Sequence, residues 1–226
     1  MSENPKQLAG ERAAEYVDDG HIVGLGTGST AYFAIVRLAE RVKEGLSIKG
    51  IPTSEASDKL AREGGIPLTD FSEVSRIDVT IDGADELDPG FNLIKGGGGA
   101  LLREKIVARA TETQIIVADP TKDKAVLGAF DLPVEVTPFG RHATSGHIGA
   151  LGCDPILRTD NGTAFVTDNG NHILDCPFGA IEDPSGLERA LRNIPGVVEC
   201  GLFVGLTDRI IIGQADGTVE ERTRNN

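Results

Sequence analysis

In the first half of the chain, short apolar runs stop on glycine or aspartate and give way to helical patterns. This alternation leaves few folds open. Residues 21–25 form an apolar run that ends in glycines, after which Tyr32, Ile35, Val36, Ala39 and Val42 recur at helical spacing. The next strand is expected at 48–51 and the next helix at 54–63. Over 76–81, Ile77, Val79 and Ile81 fall on one face of a strand. A short apolar segment at 91–94, a helix at 101–110 and a strand of the buried type at 114–118 complete the series. Strands alternating with helices predict a parallel sheet with helices on both faces.

The rhythm changes near Gly128. Strands are expected at 132–136, 155–159, 164–167, 172–175 and 197–204, with helices at 141–151 and 184–193. Asp168, Asn169 and Gly170 give a strong hairpin signal leading into the 172–175 strand. With the extra hairpin allowed for, the order matches the split β-α-β-β-α-β arrangement of a ferredoxin-like α+β domain. One more apolar strand at 209–213 is expected to return to the first sheet. The 226 residues therefore divide into an α/β domain over 1–128 and 205–226 and an inserted domain over 129–204.

Aspartate and glutamate number 35 against 22 lysines and arginines, a net charge of −13, and only eight of the basic residues are lysine. No acidic block accounts for this, so the carboxylates are spread along the chain. Such a surface repels nucleic acid and anionic membranes, and neither is an expected partner. It fits an ordinary acidic protein or a halophilic one kept soluble by its carboxylates. No apolar run approaches the ~20 residues of a membrane span. The polar first ten residues lack the apolar stretch of a signal peptide, so a cytoplasmic location is expected. Cys153, Cys176 and Cys200 are odd in number and far apart, which excludes a disulfide framework and a CxxC zinc site.

Four segments carry candidate chemistry. Gly24-Leu25-Gly26-Thr27-Gly28-Ser29-Thr30 lies between a strand and an amphipathic helix. Its glycines allow close backbone approach, and the helix start offers free N–H groups, a combination suited to phosphate. It is neither a Walker A loop nor a GxGxxG fingerprint, and a plain turn with a Ser cap would need only one or two of these residues. Asp82-Gly83-Ala84-Asp85-Glu86 follows an alternating strand, where a parallel sheet faces its ligand crevice. A solvated acidic turn needs only Asp82 and Gly83; clustered carboxylates can bind sugar hydroxyls, move protons or hold a divalent metal. Lys95-Gly96-Gly97-Gly98-Gly99-Ala100 is too costly in entropy for a mere linker and can turn its amides toward an oxyanion. Glu104 sits in the first turns of the next helix. Alone it would be only a favourable helix-dipole partner, but that helix begins at the glycine loop. Asp119-Pro120-Thr121-Lys122 adds a basic group after the last strand of this half.

In this order and spacing, GTGST, DGADE, KGGGGALLREK and ADPTK closely resemble ribose-5-phosphate isomerase of type A. LPVEVTPFG, VTDNGNHILD and IPGVVECGLF extend the likeness over nearly the whole chain. The resemblance implies a Rossmann-like catalytic domain carrying a ferredoxin-like domain, and the interconversion of ribose 5-phosphate and ribulose 5-phosphate. It implies Glu104 as catalytic base. It also implies substrate contacts at Thr27, Gly28, Ser29, Thr30, Asp82, Gly83, Ala84, Asp85, Lys95, Gly96, Gly97, Gly98 and Lys122, with Lys6 on a looser local match. A homodimer or a dimer of dimers is implied as well. The chemistry agrees: a carboxylate moves the proton between C1 and C2, Lys95 and the Gly96–Gly98 amides stabilise the enediolate, and Asp82 or Asp85 opens the sugar ring. With lysine and amides as electrophile, no metal or cofactor is called for. A sugar-phosphate-sensing module and a CoA transferase share parts of the pattern. The first has no need for both Glu104 and Lys95, and the second leaves DGADE and the two lysines without a role.

Overall fold

The computed structural model describes residues 4–224. In chain order its first elements are α1 (Pro5–Ala14), β1 (Ile22–Leu25), α2 (Ala31–Lys43), β2 (Lys49–Pro52), α3 (Glu55–Gly64), β3 (Ile77–Gly83), β4 (Glu86–Leu87), β5 (Leu93–Ile94), α4 (Leu101–Arg109) and β6 (Thr111–Ala118). After a 3-10 turn at Pro120–Lys122 come β7 (Leu132–Val136), α5 (Arg141–Gly149), β8 (Ile156–Leu157), β9 (Thr159–Asp160) and β10 (Thr163–Ala164). The chain ends with β11 (His172–Cys176), α6 (Pro184–Arg192), β12 (Val197–Cys200), β13 (Leu202–Phe203), β14 (Arg209–Gly213) and β15 (Val219–Thr223).

The expected parallel sheet has the order β15-β14-β6-β3-β1-β2. Every neighbouring pair is parallel except β14 with β15. α2 buries Ala31, Ala34, Ile35, Leu38 and Ala39, a stripe at helical spacing. Ile35 and Leu38 join Val23, Leu25, Val79, Ile81, Ile115 and Val117 from the strands in one core. Each such side chain contributes about 1.5–3 kcal/mol by leaving water. α3 opens with a reciprocal cap between Ser54 and Ser57 and closes on Gly65, whose φ of +82° is readily available to glycine. α1 was not expected, because it packs with small residues: Ala9, Gly10, Ala13 and Ala14 are its buried face. It is tied to the edge strand β15 by Glu221, which accepts from Tyr16 Oη, from Arg12 Nε at 2.6 Å and, on the sheet itself, from Arg209 Nη1 at 3.1 Å.

The second sheet is antiparallel with the order β12-β7-β11-β8, the order of the split β-α-β-β-α-β fold. Its core contains Val134, Val136, Ile148, Leu174 and Leu191. Cys153, Cys176 and Cys200, distant in sequence, meet in this same core as free thiols.

Three expectations are corrected here. The strand at 155–159 breaks at Arg158 into β8 and β9. The segment 164–167 does not pair with β11; β10 pairs with β9, and the turn after it is held by Gly170 N–H to Thr167 O at 2.9 Å. The strand at 197–204 breaks at Gly201, whose N–H donates to Pro133 O at 2.7 Å and whose C=O accepts from Lys95 N–H at 2.9 Å. A Cβ there would lie 2.2 Å from Lys95 O. Past that point β13 leaves the second sheet and pairs with β5, which pairs with β4.

Those pairings also shift the division of the chain. One compact unit holds the chain up to Ala84, Arg103–Asp123 and the chain from Leu206; the other holds Asp85–Leu102 and Lys124–Gly205. The expected boundaries assigned 85–102 to the first domain. They join the second because β5 pairs with β13, Lys124 N–H donates to Leu87 O at 2.9 Å, and the buried Glu86 accepts from Gly128 N–H at 2.7 Å and Phe130 N–H at 2.8 Å. Among the described residues, no helix is long and apolar enough to cross a membrane.

Candidate active site

The candidate residues fall in both units, and each group is built locally. In the first, β2 lies on one side of β1 and β3 on the other, so the chain reverses its direction of winding at β1. The carboxyl ends of strands at such a switch point are where open α/β sheets bind ligands. Gly26 N–H donates to Ile81 O at 3.0 Å. A Cβ on Gly26 would stand 2.4 Å from Asp82 Oδ1, so only glycine lets the loop pass this close to that carboxylate. Asp82 is fully buried, and its Oδ1 accepts from Thr27 N–H at 3.0 Å and Gly83 N–H at 2.8 Å. The aspartate thus holds the start of the GTGST loop in place.

Gly28 forms the exposed tip at φ +110°, and Thr30 is buried as the residue before α2. Its hydroxyl makes no cap to the helix. Ser29 accepts from Lys6 Nζ at 2.9 Å. The lysine arrives there because α1 starts against the carboxyl end of β14; Pro5 O lies 1.9 Å from where a Cβ on Gly213 would be. Thr27 Oγ1 hydrogen-bonds Thr53 Oγ1 at 2.8 Å and Ser54 Oγ at 2.7 Å, two hydroxyls the sequence reading did not single out. Their signal is faint, a Thr-Ser pair directly after β2. A cavity of about 280 Å³ opens beside the loop, lined by Thr27, Gly28, Tyr32, Ser57 and Lys59 among others. Lys122 stands half-buried on the 3-10 turn after β6, a turn capped by Asp119 accepting from Thr121 N–H at 2.9 Å. Glu104 is buried in the first turn of α4.

In the second unit, Asp85 is half-buried, and its Oδ2 accepts from Gly97 N–H at 2.7 Å. Lys95 is buried with Nζ 5.6 Å from the centre of the Phe203 ring. Gly99 N–H donates to Gly96 O at 2.9 Å and closes the loop into a turn, with Gly97 and Gly98 exposed at its tip. The Gly97 amide, one of those expected to face an oxyanion, here donates to Asp85. Of the acidic cluster at the end of β3 and just beyond it, Glu86 is structural, whereas Asp82 and Asp85 each hold a glycine loop. Glu188, Glu199 and Cys200 place ligand atoms within 4.8 Å of one another in the second unit, a trio spread over two elements and invisible as a motif.

A parallel sheet with a glycine loop at its switch point, joined to a split β-α-β-β-α-β domain, defines a class of α/β enzymes with solved members. The ribose 5-phosphate isomerase from Plasmodium falciparum matches with a TM-score of 0.94 at 37% identity, over 98% of each chain. A D-ribose-5-phosphate isomerase in complex with phospho-erythronic acid matches with a TM-score of 0.94 at 38% identity, over 98% of this chain and 100% of that one. The ribose-5-phosphate isomerase A of Gloeobacter violaceus is 55% identical over 94% of this chain and 93% of its own. The family model of ribose 5-phosphate isomerase A (phosphoriboisomerase A) matches residues 49–217. The chain belongs to the ribose 5-phosphate isomerase A family.

Proposed function

We propose that this chain interconverts D-ribose 5-phosphate and D-ribulose 5-phosphate through an enediolate, as an aldose–ketose isomerase of the non-oxidative pentose phosphate pathway. The observation that carries the mechanism is Glu104: a carboxylate buried one turn into the helix that leaves the second glycine loop. In this reading it takes the proton from C2 and returns it at C1. Burial favours a base that gives up little solvation when it accepts a proton. Lys95 with the Gly96 and Gly98 amides stabilises the enediolate oxygen. Asp82 and Asp85 serve ring opening. Thr27, Gly28, Ser29, Thr30, Lys6 and Lys122 take the phosphate, with Gly83 and Ala84 against the sugar. Phospho-erythronic acid, held by a relative, joins a phosphate to a carboxylate, the same two kinds of anion that these groups suit. The enzyme is proposed to be cytoplasmic, a homodimer or dimer of dimers, with no nucleic acid or membrane partner.

The test is ketose formation from ribose 5-phosphate by the full chain after exhaustive EDTA treatment. Undiminished conversion is expected. No ketose overturns the reading in favour of a binding module or a CoA transferase, the latter using Glu104 as a covalent nucleophile. Loss restored by Mg²⁺ would reassign Asp82 and Asp85 as metal ligands.

A further inference from the structure

Arg158 interrupts the strand expected at 155–159, and its contacts show what it does instead. Its backbone is fixed on both sides: N–H donates to Ile173 O at 2.9 Å, and C=O accepts from Phe165 N–H at 2.9 Å. Its guanidinium then forks. Nε donates to Asp175 Oδ2 at 3.0 Å and Nη2 to Asp175 Oδ1, while Nη1 donates to Gly96 O at 2.8 Å and Gly97 O at 3.1 Å. The same guanidinium stands 5.9 Å from the centre of the Phe165 ring. That ring fills the space a side chain at Gly99 would take, with Cζ 2.5 Å from the position of a Cβ.

We infer that Arg158 is a positioning residue for the isomerisation, holding the Gly96–Gly97 peptides so that Asp85 keeps its working orientation. Four successive glycines have no side chains with which to pack, and ordering them is costly. Beyond the Gly99–Gly96 bond that closes the turn, their order comes from side chains outside the loop. The Gly97 residue is gripped from both ends, its N–H by Asp85 at 2.7 Å and its C=O by Arg158 at 3.1 Å. A shift of the guanidinium therefore turns the amide that orients the Asp85 carboxylate. Bonds from a charged donor are the strong ones. Lysine cannot replace this arginine, because one ammonium cannot meet Asp175 side-on and still reach two carbonyls. Asp175 in turn aims the fork.

The inference rests on the reading that Asp85 and the glycine loop act on substrate. Its test uses the full chain carrying Arg158→Lys, Arg158→Ala or Asp175→Asn, alone and combined with Asp85→Asn. Arg158→Lys is expected to lower kcat about 10- to 100-fold, the scale of a misplacement of about 1 Å. KM should change little, because the phosphate-binding residues are elsewhere. The Arg158→Ala loss should largely vanish in the Asp85→Asn background, as coupled sites are not additive. Hydrogen exchange in residues 96–99 should speed up at least ~10-fold in Arg158→Lys, independently of any activity. Unchanged kcat and unchanged exchange in Arg158→Lys would overturn the inference, as would losses that simply multiply with those of Asp85→Asn. If Arg158→Ala does not fold, Arg158→Lys and Asp175→Asn decide by the same readouts. If the native chain lacks isomerase activity, the functional reading fails, and faster exchange would still establish the clamp.

Discussion

Two glycine loops carry the chain from a strand into a helix, and they use the helix start in opposite ways. The loop at Gly26–Thr30 leads into α2, whose first turn has no acidic residue. Its positive end is left for an anion from outside. The loop at 95–100 leads into α4, whose first turn carries Glu104. There the chain supplies its own anion. The supports differ as well. The first loop rests on Asp82, from the neighbouring strand of the sheet; the second is spanned by Asp85 and Arg158, side chains 73 positions apart in the sequence. A glycine loop before a helix thus fixes a place for negative charge, and the residue one turn later decides whose charge it is.

The sharpest way to break this contrast is Glu104→Gln. Its expected kcat loss is at least ~10²–10⁴-fold, with ribose 5-phosphate still bound and solvent exchange of the transferred hydrogen abolished. Asp82→Asn or Asp85→Asn should instead recover on the open-chain ketose. Near-normal turnover in Glu104→Gln would leave both helix starts as equivalent dipole ends and move the base to Asp82 or Asp85. On the other loop, Ser29→Ala with Thr30→Ala should raise KM for ribose 5-phosphate about 10- to 100-fold, the worth of hydrogen bonds to a charged group. Unphosphorylated ribose should barely notice. Equal losses on both substrates would shift the phosphate to Lys6 or Lys122.

Salt probes the surface around both loops. With −13 net charge, the thermal midpoint and activity are expected to rise between low salt and molar KCl. Screening shortens the Debye length from ~10 Å at 0.1 M to ~3 Å at 1 M and relieves carboxylate repulsion. A midpoint that stays flat or falls would rule out the halophilic reading. The smallest effect separates the supports of the two loops. Lys6 rides on α1, which Glu221 ties to the sheet edge. Burial works to raise the Glu221 carboxyl, but hydrogen bonds from Tyr16 and Arg12 and the charges of Arg12 and Arg209 outweigh it and hold it below its ordinary value. A depressed carboxyl stabilises the fold above the ordinary range, and the contribution disappears as pH falls through the folded value. Wild type should lose roughly 2–4 °C more than Glu221→Gln on going below about pH 4. Parallel pH profiles would show that this carboxylate does not secure α1.

The parts of the fold that sequence conveys are those with an apolar period. β1, β3, β6, β7, β11, β14 and the helices α2, α3, α4 and α6 all carry one, and the structure places them within a few residues of expectation. α1 hides because alanine and glycine make a close-packed face with almost no hydropathy contrast. β15 hides because an edge strand reading Val-Glu-Glu-Arg-Thr shows water its polar residues. β4 is two residues long, too short for any period, whereas β5 falls inside the apolar segment at 91–94 and β13 inside the expected 197–204 strand, whose change of partner is what the sequence does not convey. At the site, the glycine loops and Glu104 stand out through local chemistry. The partition of roles does not: that Glu86 is structural, and that Arg158 reaches Gly96 across 62 positions, depends on long-range contacts that leave no local trace.

Gly201 has a consequence for the genetics of this protein. Its backbone passes so near Lys95 O and Pro133 that the smallest side chain collides with main chain, which cannot swing aside as a rotamer would. A library randomised at this codon and selected for folding should return glycine alone. At Gly146, where a Cβ meets nothing within 4 Å, the same library should return many amino acids. One carbon atom thus separates a position with no coding freedom from one with a great deal.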